Sequence, residues 1–329
     1  MSELRFEQVS VRFGGRRGMT AVDGVDLTVP KGQVVGLVGE SGSGKSTLAR
    51  AAASLTPLSA GQILFNGRPL RPKRGEHRPL QMVFQDPHSS LNPRMSIGDS
   101  IAEGIPRAGR GDAASRRAEV ERLLGLVGLD PQRASSYPGQ MSGGQLQRVA
   151  LARALAGQPE VIIADEITSA LDVSVQGTVL NLVRDLQREL NLSMLFISHN
   201  LAVVRYVADA IAVMYLGRIV EQGPAEQILS NPQHPYTKAL LAAVPGNGST
   251  GLSPGMSDPA VQAVSDAEPA DPHHPPTGCR YHLRCPIGPL VLPGRDVCRE
   301  ADPEPEGHSQ AAACHFADGS LMAGKAGLL

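Results

Sequence analysis

Short apolar runs alternate with amphipathic stretches through about residue 244, and then the pattern stops. Leu4–Phe13 alternates roughly in twos and predicts a strand, and Ala21–Val29 predicts a second, ended by Lys31-Gly32. Val34–Val38 is a continuous apolar run, the mark of a strand buried on both faces. Gly61–Phe65 is a short strand closed by the hairpin-type turn Asn66-Gly67, and Gln81–Phe84 is another that ends at Gln85. From Asp86 to about Gly157 the period lengthens to that of a helix. Within it, Ala113–Leu126 is rich in helix formers, and Gly143–Leu155 follows Ser142, a residue type that caps helix N-termini. Val161–Ala164, Met194–Ser198 and Ala210–Tyr215 return to strand, interleaved with helices over Val173–Glu189 and Leu201–Ala208. Pro235–Val244 is a last short helix. Apolar strands separated by helices predict an α/β core around a mostly parallel sheet.

Composition divides the chain beyond that core. Residues 1–245 form one domain, with the helical segment at about 86–158. Residues 246–276 are rich in Gly, Ser, Pro, Asp and Ala and are expected to be a flexible linker. Residues 277–329 form a C-terminal extension that holds all four cysteines: Cys279, Cys285, Cys298 and Cys314. The formal net charge of −1 gives no sign of a nucleic-acid surface. No apolar stretch approaches the ~20 residues that cross a bilayer, and Met1–Phe6 is charged, unlike a secretory signal. The expected compartment is the cytoplasm. A disulfide framework is unfavourable there, and four thiols in one short tail suggest a metal or cluster site, with reduced free thiols as the alternative.

Three stretches carry chemistry. Gly39-Glu40-Ser41-Gly42-Ser43-Gly44-Lys45-Ser46-Thr47 fits the phosphate-loop pattern, with a buried strand before it and a helix over Thr47–Leu55 after it. Glycines let backbone N–H groups curl around an anion, and the helix N-terminus adds donors and partial positive charge. Lys45 is placed to reach the β- and γ-phosphates, and the Ser46 hydroxyl to bind Mg²⁺. The strand Val161–Ala164 ends in two carboxylates: Asp165 suits a Mg²⁺ contact, and Glu166 can polarise an attacking water. Met141-Ser142-Gly143-Gly144-Gln145 is a second glycine-containing nest before a helix, which one solution assigns to the nucleotide of a partner chain.

In this order the motifs resemble the nucleotide-binding subunit of an ATP-binding cassette (ABC) transporter, from about Leu4 to Val244. The resemblance implies a P-loop ATPase core with a mostly parallel sheet, an antiparallel β-subdomain and a helical subdomain. It implies that Phe13 stacks on adenine, that Gly39–Thr47 is the Walker A loop, and that Gln85 is the Q-loop glutamine that touches Mg²⁺ and the water. Ser142–Gln145 matches the family signature with Met141 in place of the usual Leu, and Asp165 and Glu166 are the Walker B pair. Ser169–Asp172 is the D-loop, His199 is the switch histidine, and Ile167 stands where proline is usual. The implied mechanism joins two such subunits head to tail, with each ATP between the Walker A loop of one and the signature of the other. Two permease subunits and an extracytoplasmic binding protein complete the implied assembly, at the cytoplasmic face of the membrane.

Two further segments are similar to the oligopeptide, dipeptide and nickel importer branch. One is Gln85-Asp86-Pro87 with Ser89–Met95, and the other is Pro232–Leu241. The tail Gly278–Pro286, with Cys298 and Ala313-Cys314-His315, is similar to that branch's extension, in which some relatives hold a [4Fe–4S] cluster. The cysteines lack the paired spacing of zinc ribbons, so a cluster is favoured over Zn²⁺, and His282 and His315 are expected to be bystanders rather than substitute ligands. The expected activity is ATP hydrolysis driving import of peptides, with nickel, glutathione or another small solute as alternatives. That branch often pairs two different ATPases, so a heterodimer is the leaning. Rival readings are a non-transport ABC ATPase and an exporter subunit. The first would bring a long coiled coil or a second cassette, and the second a fused membrane domain.

Overall fold

A computed structural model describes residues 3–14, 18–70, 78–106, 111–244, 264, 267, 270–305 and 310–317. The expected basic turn at 15–17, most of the expected linker and the end of the tail lie outside these residues.

Alternation along the strands fixes the architecture. The central sheet runs β11-β10-β9-β3-β8-β7-β6. β3 (Val34–Val38), β6 (Leu80–Val83), β7 (Val161–Asp165), β8 (Ser193–Ser198) and β9 (Ala210–Tyr215) are parallel. β10 (Arg218–Pro224) and β11 (Ala311–Ala312) extend it antiparallel. Successive residues of these strands face opposite sides. Val35, Leu37, Ile163, Leu195, Ile197 and Met214 join one core. Val34, Val38, Ile162, Met194, Phe196 and Val213 join the other.

The first core is shared with α1 (Lys45–Ala52) and with a four-stranded antiparallel sheet built on β1 (Leu4–Phe13) and β2 (Met19–Val29). β4 (Ala60–Phe65) and β5 (Arg68–Pro69) complete that sheet. Between β6 and β7 the short α2 (Pro87–Ser90) is followed by α3 (Ile97–Ala102), α4 (Ala113–Leu126) and α5 (Gly143–Ala156); the second core takes the last three, and α2 lies against α5. That core also takes α6 (Val173–Glu189), α7 (Leu201–Val207), α8 (Ala225–Ser230) and α9 (Pro235–Ala242).

Several elements depart from the sequence reading. α1 starts at Lys45, inside the glycine motif, and ends at Ala52 rather than Leu55, because Ser54 is left-handed at φ 59° and Leu55 points outward. β10 was missed: Arg218, Glu221, Gly223 and Pro224 break an apolar pattern, yet its backbone pairs with β9. β11 comes from the cysteine tail, so that tail contributes the last strand of the central sheet (Glu221 opposite Ala312).

Candidate functional site

The C-terminal ends of the parallel strands carry the chemistry, where open α/β sheets place their ligands. β3 delivers the chain into Gly39–Thr47. Gly44, at φ 105°, lies against β2, and a Cβ added there would stand 2.3 Å from the Ala21 carbonyl oxygen, so glycine is required. Gly217 N–H donates to Ser43 O at 2.8 Å, tying the loop to the turn after β9. The Lys45 ammonium is buried and donates to Gly39 O and Glu40 O, both at 2.8 Å. It also stands 3.4 Å from Ser43 Oγ. Burial pulls its pKa down, opposed by the carboxylates of Glu166, Asp165 and Glu40. A desolvated ammonium bonded only to neutral oxygens gains most from an incoming anion.

Ser46 Oγ donates to Asp165 Oδ1 at 3.0 Å. Desolvation raises the Asp165 pKa, and the Ser46 hydrogen bond only partly offsets it. A hydroxyl facing a buried carboxylate that lacks a paired cation is a donor set that fits Mg²⁺.

Glu166 follows at the end of β7 in a left-handed conformation, φ 47°, with its N–H donating to Ile197 O at 3.0 Å. Such a backbone costs about 1–3 kcal/mol in a non-glycine residue and persists where the surroundings hold it. Its effect is to swing the side chain toward the ends of β6 and β8. There Gln85 Nε2 donates to Glu166 Oε2 at 3.2 Å, and His199 Nδ1 stands 3.3 Å from the same oxygen. Gln85 Nε2 also reaches Ser169 Oγ at 3.3 Å, and Ser169 Oγ donates to Glu166 O at 2.8 Å. Gln85, the Glu166–Ser169 turn and His199, distant from one another in sequence, thus form one cluster.

The second nest sits elsewhere. Ser142 and Gln145 close a reciprocal capping box at the start of α5, with Ser142 N–H donating to Gln145 Oε1 at 3.0 Å. Gly144 packs on α6, where a Cβ would stand 2.5 Å from Val175 Cγ1. Gly143 faces Leu171. Ser142 is exposed, as is Asp172 at the N-cap of α6. The phosphate loop rests on β2 and β9 instead, so each nest has its own neighbours. Phe13 closes β1 opposite Met19 with 43% of its surface exposed, a ring free to stack on a planar ligand.

All four cysteines lie in the tail, and the backbone brings two of them together. Cys279 N–H donates to Cys298 O at 2.9 Å, and Cys285 and Cys298 are buried. Burial pushes the thiols of Cys279 and Cys285 up to about 12, and the other cysteines push in the same direction. Among the described residues no group of three His, Cys, Asp or Glu is arranged to hold a metal ion, so neither the cluster nor the zinc alternative finds support there. Nδ1 of His282 stands 2.8 Å from Cys279 O and Nε2 of His315 stands 2.9 Å from Ala301 O, so both rings engage backbone carbonyls.

Other residues at the site escaped the sequence reading. Tyr236 OH accepts the Glu40 N–H at 2.8 Å. Tyr215, Tyr236 and Tyr281 pack tilted or edge-on, with ring centroids 4.6–5.3 Å apart. Glu221, fully buried, accepts from Gln233 N at 2.7 Å, His234 N at 3.0 Å and Gln310 Nε2 at 2.6 Å. The Pro232–Leu241 motif was visible, but its link to residues 196 positions upstream was not.

Comparison with known proteins agrees with this geometry. Residues 22–169 match the family model "ABC transporter", and residues 220–288 match "Oligopeptide/dipeptide transporter, C-terminal region". The chain is 44% identical to the di/tripeptide transport ATP-binding protein DppF of Pseudomonas aeruginosa, covering 93% of each chain. It is 43% identical to the oligopeptide transport ATP-binding protein AppF of Bacillus subtilis, covering 90% of this chain and 88% of that one. Among solved structures it is similar to cbiO1 from Clostridium perfringens, part of the cbiONQ transporter complex. There the TM-score is 0.60 and the identity 26%, over 69% of this chain and 90% of that one. It is equally similar to the ATP-binding cassette MJ0796, solved as a dimer in a post-hydrolysis state with ADP and Pi. That TM-score is also 0.60, with 26% identity over 68% of this chain and 98% of the other.

Proposed function

This chain belongs to the ABC transporter ATPases, in the oligopeptide/dipeptide branch, and from that premise we propose that it is the ATP-hydrolysing subunit of a peptide importer. The observation that carries the reading is Glu166, turned by its left-handed backbone between Gln85 and His199 beside a complete phosphate loop.

Each residue then has a task. Lys45 exchanges loop carbonyls for the β- and γ-phosphates, while backbone N–H groups at the start of α1 supply further donors. Ser46 and Asp165 would hold Mg²⁺, which supplies charge neutralisation at the phosphates. Glu166 accepts a proton from the water that attacks the γ-phosphorus, as the bond to the β–γ bridging oxygen breaks and ADP leaves. Gln85 and His199 orient that carboxylate, and His199 is placed to sense the γ-phosphate.

The exposed Ser142 at the head of the nest Ser142–Gln145 and the exposed Asp172 support a head-to-tail pairing with a second ABC ATPase, a homologue or a copy, whose nucleotide they would cover. Only ATP would bridge both nests, so binding closes the pair and hydrolysis reopens it. A cavity of about 320 Å³ opens between the helical segment (Glu103, Gly104, Arg153) and the core (Leu55, Leu80, Phe84), and it supports docking of a permease there. Two permease subunits and an extracytoplasmic substrate-binding protein would complete the importer, with this chain peripheral on the cytoplasmic face. No described helix is long and apolar enough to cross a membrane.

Cys279, Cys285, Cys298 and Cys314 would hold a [4Fe–4S] cluster. Four cysteines gathered in one short tail, with Cys285 and Cys298 buried, support it. Anaerobic purification followed by iron and acid-labile sulfide analysis should give about four irons per chain. Zinc without iron would replace the cluster.

Reconstitution tests the transport reading. The chain, co-expressed with its permease subunits, should co-purify with them, and the vesicles should take up a labelled di- or tripeptide when given ATP. Lys45→Ala should abolish uptake. A chain that stays unassociated, or uptake indifferent to Lys45→Ala, overturns the reading.

A further inference from the structure

The phosphate loop is gripped by a segment that lies far outside its own motif, in the cysteine tail. Glu40 is the only acidic residue in Gly39–Thr47. Its carboxylate is met from the cysteine tail, 244 positions away, by Arg284, whose Nη1 donates to both Glu40 oxygens at 3.0 Å. The pair is substantially shielded, with 15% of the Arg284 side chain and 31% of Glu40 exposed. Two more residues aim the same segment at the loop. Tyr281, between Cys279 and Cys285, packs against Tyr236, whose hydroxyl accepts the Glu40 N–H. Arg280 donates to Leu216 O and Asp23, beside Gly217, whose N–H holds Ser43 O. Arg284 also lies 6.0 Å over the Tyr281 ring.

A bare carboxylate at this place would oppose ATP twice. It would repel phosphate oxygens arriving at the loop, and it would be free to draw the Lys45 ammonium away from them. The Glu40 charge does reach Lys45, since it is one of the carboxylates that act on that ammonium. A guanidinium seated on Glu40 cancels the charge and fixes the residue whose carbonyl Lys45 holds.

We infer that Arg284 is a positioning residue of the ATP site: its ion pair with Glu40 neutralises the one negative charge in the phosphate loop, so the cysteine-bearing tail sets the affinity for ATP. The inference rests on the assignment of Gly39–Thr47 as the phosphate loop. Arg284 precedes Cys285, so whatever the thiols hold also fixes where this guanidinium sits.

Calorimetric titration of the full-length chain with Mg·ATP tests it. Arg284→Gln should weaken binding by about five- to tenfold, and the loss should shrink as salt rises. Arg284→Lys, which keeps the charge, should retain most of the affinity. Glu40→Gln/Arg284→Gln should bind as tightly as Glu40→Gln alone, because with no carboxylate the arginine has nothing to neutralise. A purely packing role would not give that rescue. Wild-type affinity in Arg284→Gln overturns the inference, as does a double variant weaker than Glu40→Gln. If Arg284→Gln does not fold, the comparison of the double variant with Glu40→Gln decides alone. Lys45→Ala separates the premise: wild-type affinity there overturns the phosphate-loop assignment, whereas its loss beside an unaffected Arg284→Gln overturns only the role of Arg284.

Discussion

Glu166 concentrates the contacts of the proposed catalytic cluster in one side chain. Its backbone is strained, its N–H is pinned to Ile197, and its carboxylate is held by Gln85 and His199. Glu166→Gln keeps the shape and the hydrogen-bonding partners but removes the proton acceptor. Steady-state ATP hydrolysis by the assembled transporter should fall by about 10²–10⁴-fold, while Mg·ATP binding persists and the ATPase pair stays closed. Near wild-type turnover would remove Glu166 as the base. The placement of this residue was legible in the sequence because an apolar strand ending in two carboxylates is a local pattern. The same holds for Lys45 and Ser46, whose spacing is set by the phosphates. Glu40 gave no such signal: its role comes from Arg284 and Tyr236, and nothing local announces a partner 244 or 196 positions away.

Helices and strands were readable where one physical cause decided them. α6 and β9 have the predicted bounds because their apolar pattern starts and stops cleanly, and α4 has them because Asp112, accepting from Ser115 N, caps a run of helix formers. α1 and β10 differ because a left-handed Ser54 and a backbone partner in β9 override the pattern. α9 shows a cap that makes an element pH-dependent. His234, 1% exposed, is its N-cap, and Nδ1 accepts the Tyr236 N–H at 3.0 Å, which places the ring proton on Nε2. Burial, with Lys238 adding, lowers its pKa from 6.5 to about 3. Glu221 faces its backbone N–H and Tyr281 its ring. The folded state thus resists a proton that the unfolded chain accepts. The stability from neutral His234 is present above pH 6.5 and is lost as pH falls from there toward 3. Between pH 7.5 and 5.5 this residue should cost about 1.4 kcal/mol. His234→Asn keeps a capping acceptor without the titration, so urea unfolding of wild type and variant should diverge by that amount over this range. Parallel pH profiles would show that His234 does not titrate on unfolding.

At the scale of the molecule, the tail is part of the ATPase fold. The sequence separates it by a stretch rich in Gly, Ser and Pro, which suggests an appendage. Three-dimensional contacts say otherwise: β11 completes the central sheet, and Gln310 supplies a partner to the buried Glu221. Arg280 pairs with Asp23, and Tyr281, 2% exposed, fills the space beside Tyr215 and Tyr236. Long-range pairing of this kind has no local pattern, so composition alone could not reveal it. Deleting residues 277–329 would therefore expose Tyr215, leave Glu221 short of a donor and free Glu40. Losing the burial of Tyr281 alone is worth about 2–3 kcal/mol, and a domain of about this size shifts its melting temperature by roughly 2–4 °C per kcal/mol. The truncated chain should melt lower by about 5 °C or more in a calorimetric scan. Tyr281→Ala in the full chain should move the same way, because it opens the same aromatic cluster while the rest of the tail stays attached. An independent appendage would leave both melting temperatures where they are. A fall in the truncation without one in Tyr281→Ala would place the stabilisation in β11 and Gln310 rather than at the phosphate loop.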